Sequence, residues 1–430
     1  MGIFLGVDFG TSGCRAIAIN DSAETVAICS VSLPPAIMNG SHSEQDPQIW
    51  WQALIGVLTD LGKQIKLQDI QAISIDGTSS TLVITDEMGK PLHPGILYND
   101  TRSIKEVETL KKFVPDDSPV LAPSSTLAKL LWLHHQGYTK HMAHITHQAD
   151  WIASRITGLF GVSDINNCIK LGFDAVENCW PHWMSNLPFA ASLFPKTVAP
   201  GTITGNILNS SLLALGFTKE TVVVAGTTDS TAAVIASGIK DIGDAVTSLG
   251  TSLVIKVLCE KPISSAKYGI YSQPFFGRWL VGGASNTGGA VLRHFFSDVQ
   301  ISALSKQLQP NKPTGLNYYP LINNGERFPI NDPDYEPVVS PRPKQDYLFF
   351  QGLLEGISAI EKRGYDCLSS LGAPYPKKIY TNGGGAINQA WGTIRSNMLN
   401  VPVLNAINTN AAYGSALLAK KQYDEVKLNE

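Results

Sequence analysis

The sequence predicts an α/β fold made of two related domains. Three observations carry that prediction. Apolar, strand-like runs alternate with amphipathic helical stretches along the chain. A hairpin pattern near the start, FLGVDFGTSGCRAIAIN from Phe4 to Asn20, is echoed in mid-chain by DAVTSLGTSLVIKVL from Asp244 to Leu258. In both, an apolar run enters a Gly-Thr-Ser turn and a second apolar run leaves it. The 430 residues suit two or three domains at about 150 residues each. The duplication sets the first domain at 1–236 and the second at 237–430, with the last helix able to pack back on the first.

The elements follow in order. Gly2–Phe9 and Cys14–Asn20 form a hairpin around Gly10–Gly13. In SEQDPQIWWQALIGVLTDLGKQI, Asp46 suits a helix N-cap and Pro47 the first helical position. Trp50, Leu54, Leu58, Leu61 and Ile65 then recur at helical spacing, which gives this helix one core face. QAISIDGTSSTLVITDEMGKPL reads as strand, polar turn, strand and Gly-containing turn. TLAKLLWLHHQG is a short helix ended by Gly137, and DWIASRITGLF is another. VVVAGTTDSTAAVIASG is strand, turn and helix, and the domain boundary falls just after it, near Ser237–Gly243. Pro and Asn crowd Asn311–Lys344, which predicts a long irregular excursion. IYTNGGGAINQAWGTIRSNML is strand, triple glycine and helix, and NAAYGSALLAKK starts the final helix.

Composition excludes several classes. A net charge of −3 leaves no basic footprint for nucleic acid and no polybasic membrane patch. The six cysteines (Cys14, Cys29, Cys168, Cys179, Cys259, Cys367) form no C-x-x-C pair, so reduced thiols are expected rather than a zinc site or a disulfide framework. The N-terminus lacks the basic and apolar regions of a secretory signal. TVVVAGTTDSTAAVIASGI, from Thr221 to Ile239, is long enough to span a bilayer, but Asp229 at its centre would cost about 2.5–3.5 kcal/mol there. A buried strand, polar turn and helix explain it better. A helix would bring His141, His144 and His147 loosely to one side, with only Asp150 nearby to complete a metal set. A solvated or core cluster is the better reading.

The chemistry concentrates at three turns. Backbone N–H groups of a tight Gly/Thr/Ser turn converge into an anion nest, to which Thr11 and Ser12 add hydroxyls. Asp8 beside such a nest would repel phosphate unless a cation stood between them, and Mg²⁺ takes one or two carboxylates together with phosphate oxygens. The plainer alternative is an Asp that caps its own turn. Asp229, after an apolar strand and at a helix start, reads either as an N-cap or as a general base accepting a hydroxyl proton during phosphoryl transfer. Gly383-Gly384-Gly385 lets a flat ring or a phosphate approach the backbone, with Asn388 and Trp391 on the helix that follows. The order fits neither G-x-G-x-x-G nor a P-loop.

On these residues the chain resembles the FGGY carbohydrate kinases of the actin-like (ribonuclease-H-like) ATPase superfamily, over nearly its whole length. GVDFGTSGCRA resembles the first phosphate motif, DAVTSLGTS the second, VVVAGTTDSTAA the segment with the catalytic Asp, and NGGGAINQAW the adenosine motif. EQDPQIWW (Glu44–Trp51), ILYNDTR (Ile96–Arg102), RITGLFGVSD (Arg155–Asp164) and PGTITGNI (Pro200–Ile207) are similar to further family segments. STLAKLLWLHHQ fits the family signature around Lys129 and Trp132, with His135 unusual there.

The resemblance implies two actin-like domains flanking a cleft, ATP and Mg²⁺, and phosphorylation of a small sugar in the cytoplasm by a monomer or homodimer. It implies Asp229 as general base and Asp8 beside the sugar, the transferred phosphoryl and the metal, the last through water. Thr11, Ser12, Gly250 and Thr251 would meet phosphates, while Gly384, Gly385, Asn388 and Trp391 would line the adenine pocket. The family's substrate pair falls on Ser79 and Ser80, where glycerol kinases carry a charged pair and xylulose kinases Met-His. Within the family the chain resembles kinases of cyanobacteria and plants that act on D-ribulose. D-Xylulose is the alternative substrate, and an actin-like ATPase without sugar transfer the alternative activity.

Overall fold

The computed structural model describes residues 2–429. The chain divides into two compact units, Met1–Ala236 with Asn410–Glu430, and Ser237–Thr409. It therefore passes between the units twice.

The first unit opens with the hairpin of β1 (Ile3–Phe9) and β2 (Gly13–Ile19), extended by β3 (Thr25–Ser32). A short hairpin, β4 (Ile37–Asn39) and β5 (His42–Gln45), leads into α1 (Pro47–Leu61). Next come β6 (Ile70–Gly77), β7 (Leu82–Thr85), β8 (Gly95–Ile96), α2 (Ile104–Leu110), α3 (Thr126–His135), β9 (His144–His147) and α4 (Gln148–Thr157). The segment from 162 to 237 holds β10 (Val162–Asp164), α5 (Ile165–Cys168), β11 (Lys196–Val198), β12 (Ile203–Asn206), α6 (Ser210–Leu215), β13 (Val222–Val224) and α7 (Asp229–Ser237). The main sheet has the order β12-β13-β6-β1-β2-β3, with β1, β6 and β13 parallel. A second sheet, β4-β5-β8-β7-β9, carries α3.

Alternation along β1 sorts its side chains to two faces. Leu5, Val7 and Phe9 join the core under α1, whose Trp50, Leu54, Val57, Leu58 and Leu61 form the buried stripe. Each such side chain contributes about 1.5–3 kcal/mol by leaving water. Asp46 caps α1 by accepting from the Gln48 N–H at 2.9 Å, and Pro47 starts it. Phe4, Gly6 and Asp8 face the other way.

The second unit repeats the scheme. It contains β14 (Asp244–Leu249), β15 (Leu253–Cys259), β16 (Ser272–Phe275), β17 (Arg278–Ser285), α8 (Gly289–Phe295), α9 (Asp298–Ser305), α10 (Asp346–Ser370), β18 (Lys378–Asn382), α11 (Gln389–Leu399) and β19 (Val403–Asn405). Its sheet order is β16-β17-β15-β14-β18-β19. In each unit an antiparallel trio, β1-β2-β3 or β14-β15-β17, continues into parallel neighbours of its first strand. The Gly-Thr-Ser echo thus marks a structural duplication. The excursion between α9 and α10 is irregular, as its Pro and Asn content predicts.

The final helix, α12 (Ala411–Asn429), lies on the main sheet of the first unit. Its Ala412, Ala416 and Ala419 pack with Phe4, Ile17, Ile19 and Ala72. Small residues permit a very close approach. A Cβ on Gly6 would sit 1.9 Å from the Ala412 carbonyl oxygen, and one on Gly414 1.9 Å from that of Ala232 in α7. Among the described residues no helix is long and apolar enough to cross a membrane, and Thr221–Ile239 is strand, turn and helix as expected.

Candidate active site

In the first unit, three parallel strands deliver three carboxyls to one end of the sheet, the carboxyl end, where ligands bind in open α/β sheets. Asp8 stands near the end of β1. It pairs in register with Asp76 on β6 and with Arg15 on β2. β13 leads to Thr228, which bridges Gly77, and Asp229 follows as the first residue of α7. Asp8 and Asp229 are half-buried, while Asp76 is fully buried. Asp229 Oδ1 accepts the Ser230 N–H at 2.6 Å.

Burial pushes the Asp8 carboxyl up, while a hydrogen bond with Asp76 and the Arg15 charge pull it down. Asp76 is pushed well up by burial, by the Asp8 charge and by that of Asp229. Ser415 of α12 donates to Asp76 Oδ2 at 2.5 Å, and Oδ1 has no hydrogen-bond partner among the described residues. Asp76 is the site residue that the sequence reading missed. Its signal, a lone acid closing the apolar run AISID, acquires meaning only through the β1–β6 register.

The hairpin turn at Gly10–Gly13 is closed by a Gly10 N–H bond to the Gly13 carbonyl at 3.0 Å. Thr11 and Ser12 are exposed at its tip.

The turn after β6 is held from within. Thr78 and Thr81 share a hydroxyl contact of 2.5 Å, and Gln148 accepts from the Thr78 N–H and hydroxyl, both at 3.0 Å. The serines are treated differently. Ser79 is half-buried. Ser80 is buried, with φ at +66° and a hydroxyl without a partner among the described residues. A buried orphan hydroxyl costs free energy until something bonds it.

In the second unit, β14 and β18 run parallel in register to Ser248 and Asn382. This brings the turn Gly250–Ser252 next to the triple glycine, where a Cβ on Gly383 would lie 2.6 Å from the Leu249 carbonyl oxygen. Gly250, Thr251 and Gly384 are exposed. A cavity of about 420 Å³ between α11 and β19 is lined by Gly385, Asn388, Gln389, Arg395 and Asn405 among others. Its size suits a small ligand. Asn388 caps α11 by accepting from the Trp391 N–H at 3.0 Å, and its Nδ2 donates to Ser305.

Trp391 does not line this cavity. It is 2 % exposed, sits in the core cluster and donates Nε1–H to Ser358 at 3.0 Å. Its period with Ile394 and Leu399 is that of the buried face of α11. It supports Gly385 from beneath, since a Cβ there would meet its ring at 2.7 Å.

The histidines do not converge either. His144–His147 is strand, not helix; His144 stacks on Phe160, and buried His147 contacts Asp150 at 2.9 Å. Among the described residues, no three His, Cys, Asp or Glu side chains form a metal-holding group. The donor chemistry at Asp8 still fits Mg²⁺, which needs one or two carboxylates, and the orphan Asp76 oxygen adds a second acid beside it.

Comparison with known proteins is informative across the whole chain. Residues 3–236 match the N-terminal domain of the FGGY family of carbohydrate kinases, and residues 245–423 its C-terminal domain. A xylulose kinase of Escherichia coli (strain K12) is 28% identical over 406 residues, covering 90% of this chain and 83% of the relative. The crystal structure of a kinase from Brucella ovis superposes with a TM-score of 0.90 at 23% identity, covering 98% of this chain and 91% of that one. A gluconate kinase from Lactobacillus acidophilus reaches a TM-score of 0.86 at 20% identity, covering 99% and 90%.

Proposed function

Because the chain belongs to the FGGY family of carbohydrate kinases, an ATP-dependent sugar kinase fold, we propose that it phosphorylates D-ribulose to D-ribulose 5-phosphate. Asp229 is the general base of this reading. It accepts the proton of the terminal sugar hydroxyl as that oxygen bonds to the γ-phosphorus, and the bond from phosphorus to the ADP oxygen breaks. Support comes from its position at a parallel strand end beside Asp8 and Asp76, where a carboxylate is placed to accept a proton. Thr11 and Ser12 in the first unit, and Gly250 and Thr251 in the second, present exposed turn groups suited to phosphate. Gly384, Gly385 and Asn388 belong to the adenine side. Asp8 would hold Mg²⁺ through water, and the ion would neutralise charge on the phosphates.

One observation supports a polyhydroxyl substrate: the 78–81 turn spends its two threonines on itself and leaves Ser79 half-exposed and the Ser80 hydroxyl without a partner among the described residues. Two short hydroxyls suit a polyol. D-Xylulose is the second reading, because the curated relative described above is named a xylulose kinase. The shared fold does not separate the two, since a gluconate kinase has it as well.

The test is the double change Ser79→Ala with Ser80→Ala. Each lost neutral hydrogen bond costs about 0.5–1.5 kcal/mol. The sugar KM should therefore rise about several-fold to a hundredfold while the ATP KM stays put. An unchanged sugar KM would return both serines to the turn alone.

A further inference from the structure

We infer that Lys129 is a positioning residue for sugar binding: its buried amine locks the Ser79–Ser80 turn to the Leu97–Tyr98 segment and so fixes where the serine hydroxyls stand. The inference rests on the reading of that turn as the sugar site.

Lys129 lies on α3 and is completely buried, a rare state for a lysine. Its Nζ donates to the Ser80 carbonyl at 3.0 Å and to the Leu97 carbonyl at 2.7 Å. These acceptors lie on separate stretches of chain, one after β6 and one after β8. Burial is the main force lowering its pKa, to about 7. Above that pH the amine is neutral and has two N–H groups, the number these carbonyls take.

One end of the clamp needs it and the other anchors it. Ser80 holds φ at +66°, a left-handed conformation that a non-glycine residue keeps only when its surroundings impose it. Gln148 and the two threonines fix the flanks of the turn but make no bond to the Ser80 carbonyl. The Leu97 segment is fixed from outside: Leu97 N–H donates to the Ser43 carbonyl at 2.9 Å, and Asp100 accepts from the Ser43 N–H at 2.6 Å and from Arg102. Tyr98, next to the second acceptor, is exposed. Lys129 is thus the strut between a rigid segment and a strained turn whose Ser80 hydroxyl has no partner among the described residues. Without it, Ser80 relaxes toward ordinary backbone and carries its hydroxyl away.

The experiment compares Lys129→Met, Ser80→Ala and the double variant, with KM measured for ATP and for whichever of D-ribulose and D-xylulose is turned over. Met keeps the length and removes both donors. The expected result is a rise in sugar KM of about tenfold or more, no matching rise in ATP KM, and a double-variant effect smaller than the product of the single effects, because both act through one residue. Lys129→Gln keeps two N–H donors at shorter reach and should recover part of the loss; it also carries the test if Lys129→Met does not fold. If Ser80→Ala raises the sugar KM but Lys129→Met leaves it unchanged, or raises sugar and ATP KM alike, the inference is overturned while the sugar reading stands. If Ser80→Ala itself leaves the sugar KM unchanged, the reading beneath it fails.

Discussion

At the residue scale, an acid in the first turn of a helix is ordinarily explained by the helix itself: the dipole and the free N–H groups welcome it. Asp229 meets that description, with the Ser230 N–H on its Oδ1. It also stands beside Asp8 and Asp76, where like charges at close range cost stability, and the base role proposed above would give that arrangement a use. Asp229→Asn preserves shape and the capping oxygen but cannot accept the proton. Turnover should fall about 10²–10⁴-fold with ATP binding retained, as read by steady-state kinetics and nucleotide titration; turnover within threefold of the parent would remove Asp229 from the base role. Lys129 makes a prediction of a different kind. Its pKa is lowered to about 7 in the folded chain by burial and by the Lys170 and Arg102 charges, against which Asp100 pulls upward. Between that value and the unfolded lysine value, the unfolded chain binds a proton that the folded chain does not, so stability contributed by this group rises with pH. From pH 7.5 to 9.5, unfolding free energy of the parent should climb relative to Lys129→Met, by at most about 1.4 kcal/mol per pH unit for one proton. Parallel curves would show that Lys129 is charged in the fold.

At the element scale, the close contact of α12 with β1 makes the sharpest prediction. Gly6→Ala would place a methyl 1.9 Å from one backbone oxygen of α12 and 2.3 Å from the Ala416 nitrogen. Backbone cannot rotate away as a side chain does, so the helix must lift off the sheet. The cost should be about 3 kcal/mol, seen in denaturant titration, with faster amide exchange concentrated in α12. An unchanged α12 exchange pattern would contradict the contact. Elements with strong periodicity were legible in the sequence: both Gly-Thr-Ser hairpins, α1 with Asp46 and Pro47, and the strand–turn–helix around Asp229. Their signals are local. What failed was non-local or ambiguous in period. The run from His141 to His147 is too short to separate helix from strand, and β9 gains its identity by pairing with β7. Trp391 follows a glycine turn, which suggested a ring facing a ligand, but its spacing with Ile394 and Leu399 assigns it to the core. Asp76 became part of the site only because β6 pairs with β1 in a register that no local pattern states.

At the scale of the whole molecule, one supersecondary scheme is used twice with different chemistry at its end. The first unit collects carboxyls and hydroxyls: Asp8, Ser79, Ser80 and Asp229. The second collects the glycines Gly250, Gly384 and Gly385 and a cavity lined by Gly385 and Asn388. In the proposed transfer between a sugar and a nucleotide, the acids would stand on the acceptor side. The chain joins the two by crossing at 236–237 and again at 409–410, and the flanking helices α7 and α12 touch through Gly414. The most direct measurement is ADP release by the purified chain with ATP and Mg²⁺, in parallel with D-ribulose, D-xylulose, glycerol and no sugar, with the sugar phosphate quantified by mass. The expected result is one sugar phosphate per ADP, fastest by kcat/KM with D-ribulose and near background without sugar. ADP release at an equal rate without any sugar, or a clear preference for glycerol over both pentuloses, would contradict pentulose phosphorylation at Asp229.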